Sequence, residues 1–260
     1  MSFMILFKFL LISVLLTGAS SGIGAATAVQ LSKLGASLAL TGRNVENLQK
    51  TANECTKSPN VFTAPGNLTC ENDIKKIYTE VINKFGKLDV LINNAGILEN
   101  GTIENTSLEQ FDRLMNTNVR SIYYLTMLSV QDLIKTKGNI VNVSSVNGIR
   151  AFPNVLAYNM SKAAVDHFTR CTALELASKG VRVNAVNPGV TITNLHRNGG
   201  MDETTYKKFL EHSRTTHALG RPGEAIDVAE AIVYLASDAA KNITGVTLPV
   251  DGGRHAMCPR

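Results

Sequence analysis

The sequence predicts an α/β fold: a doubly wound, parallel seven-stranded sheet with helices on both faces, built as a single domain. Three observations lead there. Short apolar runs alternate with longer amphipathic stretches along the chain. Gly35, Gly86 and Gly180 each follow a helical pattern, where a left-handed C-cap is wanted. The chain has 260 residues, 44% of them apolar and 18% charged. That balance suits one folded core and excludes a disordered chain.

The elements follow in order. Residues 12–16 (ISVLL) are continuously apolar, as a strand buried on both faces requires. A glycine-rich turn leads into a helix over 23–34. Strands at 36–41, 60–64, 88–92, 138–144, 181–186 and 246–250 then alternate with helices at 44–57, 71–85, 107–135, 157–179, 202–217 and 224–236. Right-handed crossovers wind such a series to both sides of its first strand.

Residues 3–16 are apolar but for Lys8 and Ser13. That run falls short of the roughly 20 residues that span a bilayer. Cleavage of a signal peptide after it would fall in or beside the glycine turn. Residues 1–11 are therefore expected to form an apolar N-terminal extension and 12–260 the domain, with membrane contact through 1–11 left open. Sequons lie at Asn67, Asn105, Asn142, Asn159 and Asn242, two of them inside segments that carry the expected site. Glycans there would block it, which points to the cytoplasm, where Cys55, Cys70, Cys171 and Cys258 stay reduced. No CxxC pair supports a zinc ribbon. The net charge of +5 comes from scattered residues, which argues against nucleic acid as a partner.

Two patterns carry chemistry. Thr17-Gly-Ala-Ser-Ser-Gly-Ile-Gly24 joins the first strand to the first helix. Gly18, Gly22 and Gly24 permit close approach of a pyrophosphate; Ser20, Ser21 and Ile23 bring main-chain N–H groups of a helix N-terminus to it. The spacing is GxxxGxG, and no Lys-Ser/Thr follows as in an ATP-type loop. At the end of the second strand stand Arg43 and Asn44, and the first acid is Glu46. A carboxylate would repel a 2′-phosphate, whereas an arginine fork binds one. NADP(H) is therefore expected over NAD(H), with Arg43 as the phosphate ligand. Farther on, Tyr158 and Lys162 share one helix face. A neighbouring ammonium is expected to lower the phenol's pKa toward a useful range.

Together with Asn93-Asn-Ala-Gly96, Ser145, Tyr158-Asn-Met-Ser-Lys162, Asn187-Pro-Gly189 and Val250-Asp-Gly-Gly253, these patterns stand in family order. Over roughly residues 12–253 the chain resembles the short-chain dehydrogenases/reductases, most of all the 3-oxoacyl-[acyl-carrier-protein] reductase-like subgroup. The resemblance implies a Rossmann fold and a hydride transfer between NADP(H) and a carbonyl/secondary alcohol pair. Tyr158 would exchange the proton with the carbonyl oxygen. Ser145, rather than Ser144, would hydrogen-bond that oxygen. Lys162 would hold the nicotinamide ribose and lower the Tyr158 pKa. Asn118, rather than Asn116, would anchor a proton relay. Asn94, Ala95 and Gly96 would close the adenine-ribose side, Pro188 and Gly189 would flank the nicotinamide, and Thr191 and Thr193 would meet its carboxamide and the pyrophosphate. Asn67-Leu68 stands where the family carries Asp before an apolar residue, so weaker adenine binding is expected. Where relatives lead into the first strand with Gly-Lys, this chain has an apolar run.

A substrate lid is expected over about 190–220, with Leu195, His196, Met201, Tyr206, Phe209 and Leu210; Asn147, Ile149, Phe152 and Pro153 lie near the serine. This apolar set hints at a hydrophobic ketone or alcohol, with 3-oxoacyl thioesters, steroids, retinoids and isoprenoid alcohols all open. His196, His212 and His217 read as surface lid residues and no metal site is expected. The resemblance also implies a homotetramer packed through 107–135 and 157–179. The competing reading is an NADP(H)-binding sensor without turnover.

Overall fold

Phe9 to Cys258 are the residues described by the computed structural model. Their first strand, β1 (Ser13–Thr17), pairs in parallel with β2 (Ser37–Thr41) on one side and β4 (Val90–Asn93) on the other. With β3 (Val61–Thr63), β5 (Asn139–Val143), β6 (Arg182–Pro188) and a last strand at Thr247–Val250, they form a seven-stranded parallel sheet. The last strand is β9, because two short strands outside the main sheet precede it: β7 (Thr191–Ile192) and β8 (Gly223–Glu224), paired with each other. The order is β3-β2-β1-β4-β5-β6-β9. The chain thus winds one way from β1 and then returns past it, which opens a crevice at the carboxyl ends of β1 and β4.

Side chains alternate across the sheet, as the pleat demands. Val14, Leu16, Leu38, Leu40 and Ile92 face a core layer covered by α1 (Gly22–Lys33), α2 (Val45–Glu54) and a late helix at Ala225–Ala236. Leu15, Ala39, Leu91 and Ile140 face the layer under α3 (Glu71–Phe85), a helix at Ser121–Thr136 and a long one at Leu156–Ala177. The central strands are therefore apolar on both faces, which is why they read as continuous runs rather than alternating ones. Gly35, Gly86 and Gly180 all take positive φ after their helices.

Three expectations need correction. The helix expected over 107–135 is three pieces: α4 (Leu108–Met115), a π turn at Asn116–Arg120 and α5 (Ser121–Thr136). The π turn carries Asn118 inward, where its side chain bonds to Ile97 and Ser161 (below). Second, Phe9 belongs to the core rather than to an extension. It is 2% exposed, its N–H bonds to Leu34 O at 3.2 Å, and it packs in the first layer. The rest of the expected extension, residues 1–8, lies outside the described residues. Third, the sequence reading has no counterpart for α6 (Val146–Ile149), β7, α8 (Leu195–Asn198) or β8, which are too short to show a period. The long helix is α7 (Leu156–Ala177), the lid's main helix α9 (Glu203–Thr216) and the late one α10 (Ala225–Ala236). Among the described residues no helix is long and apolar enough to cross a membrane.

Candidate active site

The crevice is pinned by Thr17, at the end of β1. Its hydroxyl donates to Ile92 O (3.4 Å) and accepts from the N–H groups of Asn94 (2.9 Å) and Ala95 (3.0 Å). The Asn94 side chain in turn donates to Thr17 O (2.9 Å) and Gly18 O (3.1 Å). Asn94 thus braces the glycine turn. A Cβ on Gly18 (φ +66°) would come within 2.8 Å of Ala95 Cα, and one on Gly24 within 2.2 Å of Gly18 O. Helix α1 begins at Gly22 with no side-chain cap and no acid in its first turn. Free N–H groups, a bare main chain and the helix dipole together suit a phosphate anion.

A cleft of about 250 Å³ runs from this turn along the strand ends. It is lined by Gly18, Ser20, Ser21, Gly22, Ile23, Arg43, Asn67, Leu68, Asn94, Ala95, Gly96, Pro188, Gly189, Thr191 and Thr193, and it reaches Ser145, Tyr158 and Lys162. Three expected site residues do not line it. Gly24 packs behind Gly18 and Asn94. Asn44 caps α2, accepting from Asn47 N at 2.8 Å. Asn118 is fully buried. Asn67 lines the cleft, but its Oδ1 already accepts from Thr69 N (3.1 Å) and Thr69 Oγ1 (3.0 Å). Arg43 is exposed at the rim, and the nearby acid Glu46 is tied to Lys50 at 2.8 Å.

Ser145, Tyr158 and Lys162 converge at one end of the cleft. Ser145 lies two residues past β5 and caps α6; its hydroxyl accepts from Asn147 N (3.2 Å), donates to Asn147 Oδ1 (3.1 Å) and hydrogen-bonds the Tyr158 phenol. Asn147 is held by Asn159, one residue past the tyrosine, at 2.7 Å. Lys162 Nζ donates to Val143 O at 2.9 Å and lies 5.6 Å from the centre of the Tyr158 ring. Behind it, Asn187 Nδ2 bridges Ser145 O (2.8 Å) and the buried Asp166 carboxylate (2.9 Å), four residues on from the lysine. In the π turn, Asn118 Oδ1 accepts from Ile97 N (2.9 Å), while its Nδ2 donates to Ile97 O (2.9 Å) and Ser161 Oγ (3.1 Å). Asn118 thus fastens the loop after β4 to α7. A Cβ on Gly96 would lie between Asn118 Oδ1 (3.3 Å) and Lys162 Nζ (3.5 Å).

Burial pushes the Tyr158 phenol up to about 12, and the Ser145 hydrogen bond only partly opposes it. The Lys162 ammonium is turned to the Val143 carbonyl. The same burial depresses Lys162 to about 8, against the pull of Asp166. Desolvation raises Asp166 in turn.

A second cavity, of about 660 Å³, opens on the other side of Ser145 and Tyr158 beneath α8 and α9. Leu98, Val146, Phe152, Val155, Leu195, Met201 and Phe209 line it with Asn100, Asn147, His196 and Arg254. His217 is not the surface lid residue that was expected. It is 2% exposed; its Nε2 meets Val190 N at 3.2 Å and its Nδ1 meets Ser213 O at 2.8 Å, so it locks α9 to the strand exit. His196 is held among Tyr206 and Phe209, and burial lowers it to about 4. The sequence reading left out Thr17, Asp166, Asn159 and Arg254 as site residues. Asp166, four residues past Lys162 on the same face, was the findable one; the others become neighbours only through the fold.

The chain is similar to known proteins in both sequence and fold. Residues 18–255 match the model of the family described as enoyl-(acyl carrier protein) reductase. A glucose 1-dehydrogenase from Gluconobacter oxydans is 39% identical over 251 residues, covering 92% of this chain and 90% of that protein. A short-chain dehydrogenase/reductase from Caenorhabditis elegans, crystallised with cofactor, superposes with TM-score 0.90 at 33% identity, covering 96% of this chain and 97% of that one. The 3-ketoacyl-(acyl-carrier-protein) reductase of Brucella melitensis, in complex with NADH, gives TM-score 0.86 at 33% identity over 94% and 98%.

Proposed function

The chain belongs to the short-chain dehydrogenase/reductase family of oxidoreductases, and on that premise we propose that it transfers hydride between NADP(H) and the carbonyl/secondary alcohol pair of a largely apolar substrate. One observation carries this reading. The two cavities share Ser145 and Tyr158 as a common wall, so a group held in one can react with a group held in the other.

Nicotinamide, when bound in the cleft, supplies or takes up the hydride. The chain's own residues do the rest. The glycine turn and the α1 N-terminus hold the pyrophosphate, with Thr193, whose methyl would lie 3.0 Å from a Cβ on Gly22, closing over it. Arg43 at the rim takes the 2′-phosphate. Ser145 turns its hydroxyl from Asn147 to the substrate oxygen. With its pKa up near 12, Tyr158 rests as a phenol, which suits proton donation during reduction. The phenolic O–H breaks as the alcohol O–H forms. The Lys162 ammonium then faces a phenolate, and Asn118 holds the loop through which the proton is replaced. Apolar side chains of the lid exclude water and set the preference for a hydrophobic substrate.

The test is loss of NADPH absorbance with a panel of ketones. Tyr158→Phe removes one oxygen and leaves the packing. It should cut kcat by about 10²–10⁴-fold while NADPH binding stays within a few-fold. Full activity in Tyr158→Phe would refute the mechanism; cofactor binding with no turnover on any ketone would favour the sensor reading.

The same reading makes the protein a cytoplasmic homotetramer. Exposed Tyr123 and Met127 on α5 and Met160 and Leu174 on α7 leave apolar surface for a partner copy, and the thiols of Cys70, Cys171 and Cys258 are exposed. Light scattering that gives a monomer would count against the tetramer.

A further inference from the structure

Arg254 follows the last strand in a short 3₁₀ turn and lines the larger cavity. Its main chain is held on two sides. The Asp251 carboxylate accepts from Gly253 N (3.0 Å) and His255 N (2.7 Å). Arg150 Nη1 donates to the carbonyls of Arg254 (3.3 Å), His255 (3.0 Å) and Met257 (2.6 Å). The Arg254 guanidinium carbon lies 4.6 Å from the centre of the Phe152 ring. Among the described residues the guanidinium has no ion pair and no hydrogen-bond acceptor, and no Asp or Glu lines the cavity.

Among the described residues the other two partly buried arginines, Arg150 and Arg182, both donate to main-chain carbonyls, which Arg254 does not. Arg113, Arg197 and Arg221 all meet a carboxylate, and those three lie on the surface, where pairing gains little. Arg254 is half-buried, and Asp251, the carboxylate that acts on its charge, is committed to Gly253 N, His255 N and the His255 ring, so the guanidinium faces the cavity without an acceptor among the described residues. The ring beneath it satisfies one face of the guanidinium but none of its N–H groups. On the same wall, His196 Nδ1 is buried without a partner among the described residues. Desolvation lowers both groups, and the Arg254 charge adds to the lowering at His196, which sets the two near each other.

We propose that Arg254 receives a carboxylate of the substrate, so that the preferred substrate is an oxo acid, or the matching hydroxy acid in reverse, with an apolar body between its two ends. The planar guanidinium fork matches a carboxylate bidentately, and a single cation matches a single negative charge. The apolar body lies against Phe152, Met201 and Phe209, and the carbonyl end meets Ser145 and Tyr158. The carbonyl end of this proposal rests on the oxidoreductase reading above; the carboxylate end stands on the cavity alone.

Two measurements on the full chain separate those ends. The first compares kcat/KM with NADPH for oxo acids of four to eight carbons against their methyl esters. The acids should be preferred, and Arg254→Gln should lower the acid-to-ester ratio at least about 10-fold, with Arg254→Lys between the two. A wild-type preference for esters, or an unchanged ratio in Arg254→Gln, overturns the proposal. The second needs no turnover: hexanoate and hexanamide are compared by thermal shift. Hexanoate should stabilise the wild type and not Arg254→Gln, while hexanamide should act on both alike. Equal stabilisation of both proteins by hexanoate overturns the carboxylate site while leaving any ketone reductase activity standing. If hexanoate discriminates but no carbonyl compound is reduced, the carboxylate site stands and the oxidoreductase reading falls.

Discussion

Replacing Arg43 by Ala should weaken NADPH binding by about 10–30-fold and change NADH binding by less than about twofold. The magnitude follows from position. Arg43 stands at the open rim of the cofactor cleft, exposed, and Glu46 is committed to Lys50 rather than to it. A charge-assisted hydrogen bond to a phosphate is worth about 1.5–3 kcal/mol. Exposure holds the value to the low end, since solvent and salt screen the pair. About 1.5–2 kcal/mol corresponds to the stated fold-change. Titration of the two dinucleotides by protein fluorescence or calorimetry measures it, at low and high ionic strength. The NADPH preference should shrink in high salt for the wild type and stay flat for Arg43→Ala. Equal weakening toward both dinucleotides would refute the reasoning, because a residue that merely shapes the loop acts on both.

Two further outcomes follow from the site. Burial depresses Lys162 to about 8 from 10.5, so the unfolded chain binds more protons between those values and the wild type gains stability as pH rises through that window. The shift is worth roughly 3 kcal/mol, so the wild-type Tm, relative to Lys162→Met, should climb by several degrees between pH 7.5 and 9.5; parallel curves would contradict it. Thr17→Val removes the acceptor of the Asn94 and Ala95 N–H groups and should cost about 2–4 kcal/mol in denaturant unfolding, with Thr17→Ser close to the wild type. A neutral Thr17→Val would mean that the crevice is held some other way.

Much of the fold was readable because its signals are local. A strand buried on both faces must be apolar throughout, as Ile12 to Leu16 nearly is, and Gly86 takes the left-handed cap that its helix needs. The glycine turn and the Tyr158/Lys162 spacing are legible for the same reason: each chemistry needs fixed residue types at a fixed short separation. The break inside 107–135 was not legible. Leu108 to Thr136 keeps a helical pattern throughout, and the π turn forms because Asn118 finds the Ile97 main chain and Ser161 at long separation. Phe9 read as an extension because its partner, the main chain of Leu34, is distant in sequence.

The sequence by itself determined the architecture, the glycine turn and the spacing that sets Tyr158 and Lys162 on one helix face, since periodicity and short spacing are properties of neighbours along the chain. Only the tertiary structure decided the electrostatic state of Tyr158 and Lys162, because desolvation depends on what the whole fold packs around a group. It also decided the company of Arg254: folding carries a residue near the carboxyl terminus onto Phe152, in the cavity where Ser145 and Tyr158 wait, and a separation of about a hundred residues leaves no periodic trace.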